Sequence, residues 1–156
     1  MLKPTRFVTP VFALAAIAGP VLAGWPVLII GNPEASAPAR SIHAVLTVKP
    51  GGCLAPDSTT VTGTAAGIVT GERRSIPLKL TPLPEAGLYA VTPQWPAEGK
   101  WVLQFTATDG TRTASALVPA GPNGVERGNA RFFTRQASPG DIDAMLNGQP
   151  AAVAKK

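Results

Sequence analysis

Between residues 101 and 108 apolar and polar positions alternate without a break. Trp101, Leu103, Phe105 and Ala107 fall on one side, and Val102, Gln104, Thr106 and Thr108 on the other. Successive side chains of a strand face opposite ways, so the pattern predicts a strand with one buried face. A helix would bring Trp101 near Phe105 but scatter Leu103 and Ala107. Asp109-Gly110 follows, and then a Thr-rich run, TRTASALV. Asp-Gly between two strand-like runs predicts a hairpin with a type I′ turn, in which both central residues need positive φ. Upstream, LYAVTPQW is a β-forming run closed by Pro96, and Pro93 marks it as an edge or a bulged strand. Residues 87–113 therefore read as two strands, a tight return and the start of a third, with the rest of the chain covering their apolar face.

The same alternation recurs elsewhere. Over residues 41–49, Ile42, Ala44, Leu46 and Val48 share one face and His43, Val45, Thr47 and Lys49 the other, which predicts a first strand ended by Pro50-Gly51-Gly52. Residues 54–58 read as loop. Residues 59–66 are rich in Thr and predict a second strand, with Gly63 as a bulge. Residues 67–72 are ambiguous, and Gly67 and Gly71 suggest a turn around Ile68 and Val69. Residues 75–81 alternate with Ile76, Leu78 and Leu80 inward, and Pro77 places that strand at an edge. Short strands separated by turn signals are the signature of an antiparallel sandwich. The stretch shows no helical period and no internal repeat.

The two ends differ in character. Residues 119–124 have linker composition. Residues 129–134, NARFFT, predict a seventh strand, with Phe132 or Phe133 covering the sandwich. Ser138-Pro139-Gly140-Asp141 predicts a helix start, with Ser as cap, Pro in the first turn and Asp at the positive end of the dipole. That helix would carry Ile142, Met145 and Leu146 and stop at Asn147-Gly148. It is too short to persist undocked. The last eight residues read as a disordered tail. At the other end, Lys3 and Arg6 precede an apolar run over residues 7–23, with small residues at Val21-Leu22-Ala23 and again at Ala35-Ser36-Ala37. This is the layout of a secretory signal. The rival reading is a membrane anchor over residues 11–30, twenty positions without a charge. Gly24-Trp25-Pro26 interrupts that span, and Trp25 suits a membrane interface. The expected organisation is a signal or anchor over 1–37, a β-sandwich over 38–118, and a linker, extra strand, short helix and tail over 119–156. Either reading of the leader implies a periplasmic or extracellular location.

Charge and reactive residues narrow the picture mainly by exclusion. Fourteen Lys and Arg stand against nine Asp and Glu, a net charge of +5, and they are dispersed along the 156 residues. No basic stripe with interleaved aromatics is present, so nucleic acid is not an expected partner. Cys53 is the only cysteine, which rules out an intramolecular disulfide and reads as a free thiol in a Gly-Gly turn. His43 is the only histidine and has no acidic residue near it in sequence. A Cys53–His43 pair is the one nucleophile–base combination of that type, and its spacing carries no mark. One His and one Cys cannot close a zinc site, and Asp141-Ile142-Asp143 is too little for calcium. Gly121-Pro122-Asn123-Gly124 lacks phosphate-cradle spacing. Tyr89, Trp95 and Trp101 could form a stacking platform, but the register of Trp101 with Leu103 and Phe105 assigns it to the core. Trp95, beside Pro96, is left as the exposed aromatic. No catalytic, cofactor-binding or metal residue is assigned.

Three short segments resemble a known family. The opening strand residues Ala44, Leu46 and Val48, then Gly87-Leu88-Tyr89, then Gly99-Lys100-Trp101-Val102-Leu103, are similar to the pattern of YtkA-like domains of bacterial envelope proteins. The likeness covers about residues 42–107 and rests on fold motifs. It implies an immunoglobulin-like sandwich of about seven strands and transfers no catalytic residue. CopC-like copper carriers have a related sandwich and use histidines, one at the mature N-terminus. His43 lies near the start of the expected mature chain, but a second histidine and a methionine cluster are missing. The expectation is thus a non-enzymatic, exported module with a binding or structural role in the envelope. The alternatives are metal handling through His43, and carbohydrate or peptide binding through Trp95 and Tyr89.

Overall fold

The computed structural model describes residues 24–148. Two antiparallel sheets pack face to face. The first contains β1 (Pro26–Gly31), β2 (Leu46–Gly52), β5 (Thr81–Pro82) and β6 (Tyr89–Val91), in the order β1-β2-β6-β5. The second contains β3 (Thr60–Val69), β4 (Glu72–Leu78), β7 (Lys100–Asp109), β8 (Arg112–Gly121) and β10 (Arg131–Phe133), in the order β10-β8-β7-β3-β4, with β9 (Gly124–Val125) also on β8. Two short helices complete the fold, α1 (Ala37–Ser41) and α2 (Pro139–Leu146).

The core lies where the alternation placed it. Trp101, Leu103, Phe105 and Ala107 of β7 are buried between the sheets, with Ala114, Ala116 and Val118 of β8 beside them. Leu28, Leu46, Val48 and Val91 face them from the first sheet. Trp101 lies over Gly67, its cross-strand neighbour, and its indole N–H donates to the Glu98 carbonyl at 2.8 Å. A buried indole therefore keeps its hydrogen bond while its ring fills the space a side chain at position 67 would take.

A second apolar layer lies on the far side of the second sheet. Val102 and Leu117 alternate away from the core, yet they are as buried as their neighbours. Ile142, Met145 and Leu146 of α2 cover them, together with Ala66, Ala137 and the partly buried Phe133. The helix start has the expected form. Ser138 accepts from the Asp141 N–H, Asp141 accepts from the Ser138 N–H, and Pro139 occupies the first turn. The segment leading to α2 is pinned where Ser115, itself fully buried, donates to the Arg135 carbonyl at 2.7 Å.

Several sequence expectations change. The domain begins before residue 38, because residues 26–31 pair along their length with β2 and bury Leu28. A helical anchor over 11–30 is incompatible with that strand at 26–30, and residues 1–23 lie outside the described residues. So does the tail at 149–156. Among the described residues there are ten strands rather than about seven. The strand expected over 41–49 starts only at Leu46; Ser41 ends α1 and His43 sits in the following turn at φ 55°. Pro50, Gly51 and Gly52 continue β2 rather than ending it, with Pro50 buried in the sheet. Gly63 makes no bulge, since the register with β4 and β7 is unbroken. Residues 67–72 resolve into the end of β3, a two-residue turn and the start of β4; Thr70 and Gly71 both have positive φ, at 51° and 83°. The β7–β8 hairpin turns one residue later than expected. Asp109 pairs with Arg112, and Gly110 supplies the positive φ. Finally, residues 87–113 are not one meander. β6 belongs to the first sheet and β7 to the second, so residues 92–99 cross between layers.

The edge expectation holds for β4, and the strand expected over 129–134 forms as β10. The strand before Pro93, expected at an edge or bulged, is instead β6, flanked by β2 and β5 and ended at Val91 before the proline is reached. β4, with Pro77, ends the second sheet at one side and β10 ends it at the other. The crossover is tied to the β4–β5 connector by Gln94, whose amide accepts from the Lys79 N–H at 2.7 Å and donates to the Lys79 carbonyl at 2.9 Å.

Candidate functional site

The residues singled out for chemistry do not converge. His43 is exposed in the turn after α1. Cys53 is a half-buried free thiol in the turn after β2, its carbonyl accepting from Arg112 at 3.1 Å. The whole of β2 lies between the turns that hold them, and at about 3.4 Å per residue that strand spans about 20 Å. They cannot act as one pair. Among the described residues no group of three His, Cys, Asp or Glu side chains is placed to share a metal ion. Tyr89 and Trp95 are both half-buried, and Trp95 packs against the sandwich core rather than standing free.

A cleft of about 560 Å³ lies at one end of the second sheet. It forms where the start of β7, the end of β8, the β8–β9 turn, the 3-10 turn after β9 and the end of α2 come together. Its floor is apolar, with Trp101, Met145 and Leu146, and Pro119 and Pro122 add rigid walls. Its polar lining is Lys100, Glu126, Asn129 and Arg131. Asn129 donates to the Glu126 carboxylate at 2.8 Å, which fixes both head groups on the rim. A cleft of this size, with apolar and polar lining in about equal measure, can take a small ligand. The lining holds two cations, a carboxylate and an amide, and no hydroxyl, thiol or imidazole side chain. Such a set can bind and orient a ligand that carries both apolar surface and charge.

One wall of the cleft depends on α2, and α2 depends on an ion pair at its other end. Arg135 donates to both oxygens of Asp141, at 2.7 and 3.2 Å. The guanidinium, together with the Ser138 backbone and hydroxyl, holds the Asp141 carboxyl well below the usual carboxylate range despite its partial burial. Arg135 also stacks over Phe133, 4.8 Å from the ring centroid. Arg73 of β4 pairs with Asp143 on the same helix.

Sequence reasoning missed the cleft residues for a concrete reason. Lys100, Glu126, Asn129 and Arg131 sit in ordinary turn and strand-end contexts, and only β7, β8 and α2 meeting in space bring them together. The one legible hint was Met145 and Leu146 on a helix that had to dock. Comparisons of the sequence with protein-family models, with curated proteins and with solved structures find no match in any of the three. Fold and cleft therefore define the molecule as an antiparallel β-sandwich with a C-terminal helix packed on one sheet.

Proposed function

We propose that this chain is an exported, non-enzymatic module of the bacterial cell envelope, periplasmic or extracellular, that binds or supports another envelope component. The observation carrying this reading is the makeup of the cleft. It offers groups that recognise charge and apolar surface, and its lining offers no nucleophile with a base beside it. The signal-like pattern of residues 1–23 supports export.

The finer assignment to the immunoglobulin-like class is supported by strand order. The sequence β1-β2-β6-β5 corresponds to A-B-E-D, and β8-β7-β3-β4 to G-F-C-C′. The YtkA-like reading gains support from its two motif glycines. Gly87 and Gly99 sit at φ 72° and 87°, just ahead of the strands that carry Tyr89 and Trp101. At Gly99 a side chain would also run into the Ile68 carbonyl. Both glycines thus have a backbone reason that belongs to the fold rather than to a reaction.

The test has two arms. A photo-cross-linker at Pro122 in the exported chain is expected to capture one envelope component, and Lys100→Glu with Arg131→Glu to abolish that capture while far-UV circular dichroism is unchanged. Turnover of a hydrolase substrate panel by the purified chain, lost on a single cleft substitution that leaves the fold intact, would overturn the proposal.

A further inference from the structure

The sheet edges differ sharply in how they are protected. An open edge presents unpaired backbone groups, and proteins blunt it with charge, proline or short length. β4 carries Glu72, Arg73, Arg74 and Pro77. β5 and β9 have two residues each, and β5 includes Pro82. β10 has three residues and begins with Arg131. β1 uses none of these devices. Its sequence is PVLIIG, six residues with no charge and no proline after the first position.

β1 is also the apolar part of the surface. Val27 and Ile29 point away from the core and are 39% and 51% exposed, and Trp25 just before them is 77% exposed. They lie flush on β2 because Gly51 is their neighbour; a Cβ there would already touch Ile29 at 3.0 Å and Val27 at 3.3 Å. The exposed Phe132 of β10 is opposite Ala116 and so lies on the inner face of the second sheet, at the edge where β1 and β10 approach. Among the described residues, β1 makes no backbone hydrogen bond outside its ladder with β2.

We propose that β1 pairs edge to edge, antiparallel, with β1 of a second copy of this chain. The strand is self-complementary. In an antiparallel pair, opposed residues share a face, so a twofold axis at Leu28 sets Val27 against Ile29 of the second copy on the outer face. It also sets Leu28 against Leu28 on the inner face, in line with the core. With no charge on β1, nothing in the strand repels its own copy. The first sheets of the two molecules then form one continuous sheet of eight strands, and the apolar stripe becomes one patch spanning the seam. A single strand pair covers less than the roughly 1,200 Å² of a stable interface, so the dimer fills as the protein is concentrated.

Sedimentation velocity of the full chain, over a concentration series, reads the proposal directly. The expected result is a monomer–dimer equilibrium whose dissociation constant rises roughly tenfold or more in Ile29→Lys or Val27→Lys, since lysine on an edge opposes pairing. Thr108→Lys, on an exposed position of β7, leaves it unchanged. Amide exchange across β1 is expected to slow as the dimer fills. A chain that stays monomeric, a dimer indifferent to both β1 variants, or β1 amides equally protected at all concentrations overturns the proposal. Binding to neutral phosphatidylcholine vesicles that Ile29→Lys abolishes, without any dimer in solution, overturns it in favour of a membrane-facing strand.

Discussion

Arg135 and Asp141 close a two-pronged ion pair across the turn that launches α2, and Asp141 at the same time receives the Ser138 N–H. One carboxylate therefore caps the helix, complements its dipole and ties it to the segment leaving β10. Its side chain is only 10% exposed, so the pair is less screened than a surface contact. Asp141→Asn keeps the shape and removes the charge, and is expected to lower stability by about 1 kcal/mol at neutral pH. Because the folded-state pKa is depressed, this contribution is fully present above the ordinary carboxylate pKa of about 4 and is lost as pH falls below it. The difference between wild type and Asp141→Asn in urea melts should shrink on going from neutral pH to about pH 3. A difference that does not change with pH would assign the effect to packing.

Trp101 and Gly67 form the tightest side-chain-to-backbone match in the core. A Cβ at position 67 would sit inside the contact distance of the Trp101 ring, and the ring is 1% exposed and has nowhere to move. Gly67→Ala is expected to cost roughly 1–3 kcal/mol through overpacking, and to perturb the near-UV circular dichroism of the tryptophans. Gly71→Ala, where nothing lies within contact distance, separates steric cost from conformational cost, because Gly71 has φ 83°.

The two candidate processing sites predict different molecules. A chain starting at Gly24 keeps β1, whereas one starting at Pro38 loses it together with the buried Leu28 and the partly buried Ile30. Full burial of an aliphatic side chain contributes about 1.5–3 kcal/mol, and with Ile30 only partly buried the shorter chain is expected to be roughly 2–4 kcal/mol less stable. Thermal melts of the two purified forms measure this. Equal melting temperatures would show that β1 adds nothing to the sandwich.

Copper binding by His43 is testable in the same preparation. His43 is exposed, and the length of β2 separates it from Cys53, so the two cannot ligate one ion. Titration of Cu(II) into wild type and His43→Ala is expected to give equal affinities. A loss of tenfold or more in His43→Ala, about 1.4 kcal/mol, would revive the metal reading.

The sequence by itself determined the periodic elements. The alternation in residues 101–108 placed Trp101, Leu103, Phe105 and Ala107 in the core, because a strand with one buried face leaves a period of two that no other element imitates. The cap at Ser138 and the stop at Asn147-Gly148 were equally legible, since capping is chemistry within a few neighbouring residues. Local signals misled where a neighbour from elsewhere in the chain changed their meaning. Val27 to Ile30 read as part of an apolar leader because hydrophobicity alone does not distinguish a leader from an edge strand; pairing with β2 decided it. Val102 shared the polar side of its strand in the sequence pattern, and only α2 covering it and Leu117 beside it shows that face to be buried. The order of strands, the crossing between sheets at residues 92–99 and the cleft around Lys100, Glu126, Asn129 and Arg131 were decided by tertiary structure alone. Each depends on contacts between residues far apart in the chain, and the closing of those loops leaves no trace in the local pattern.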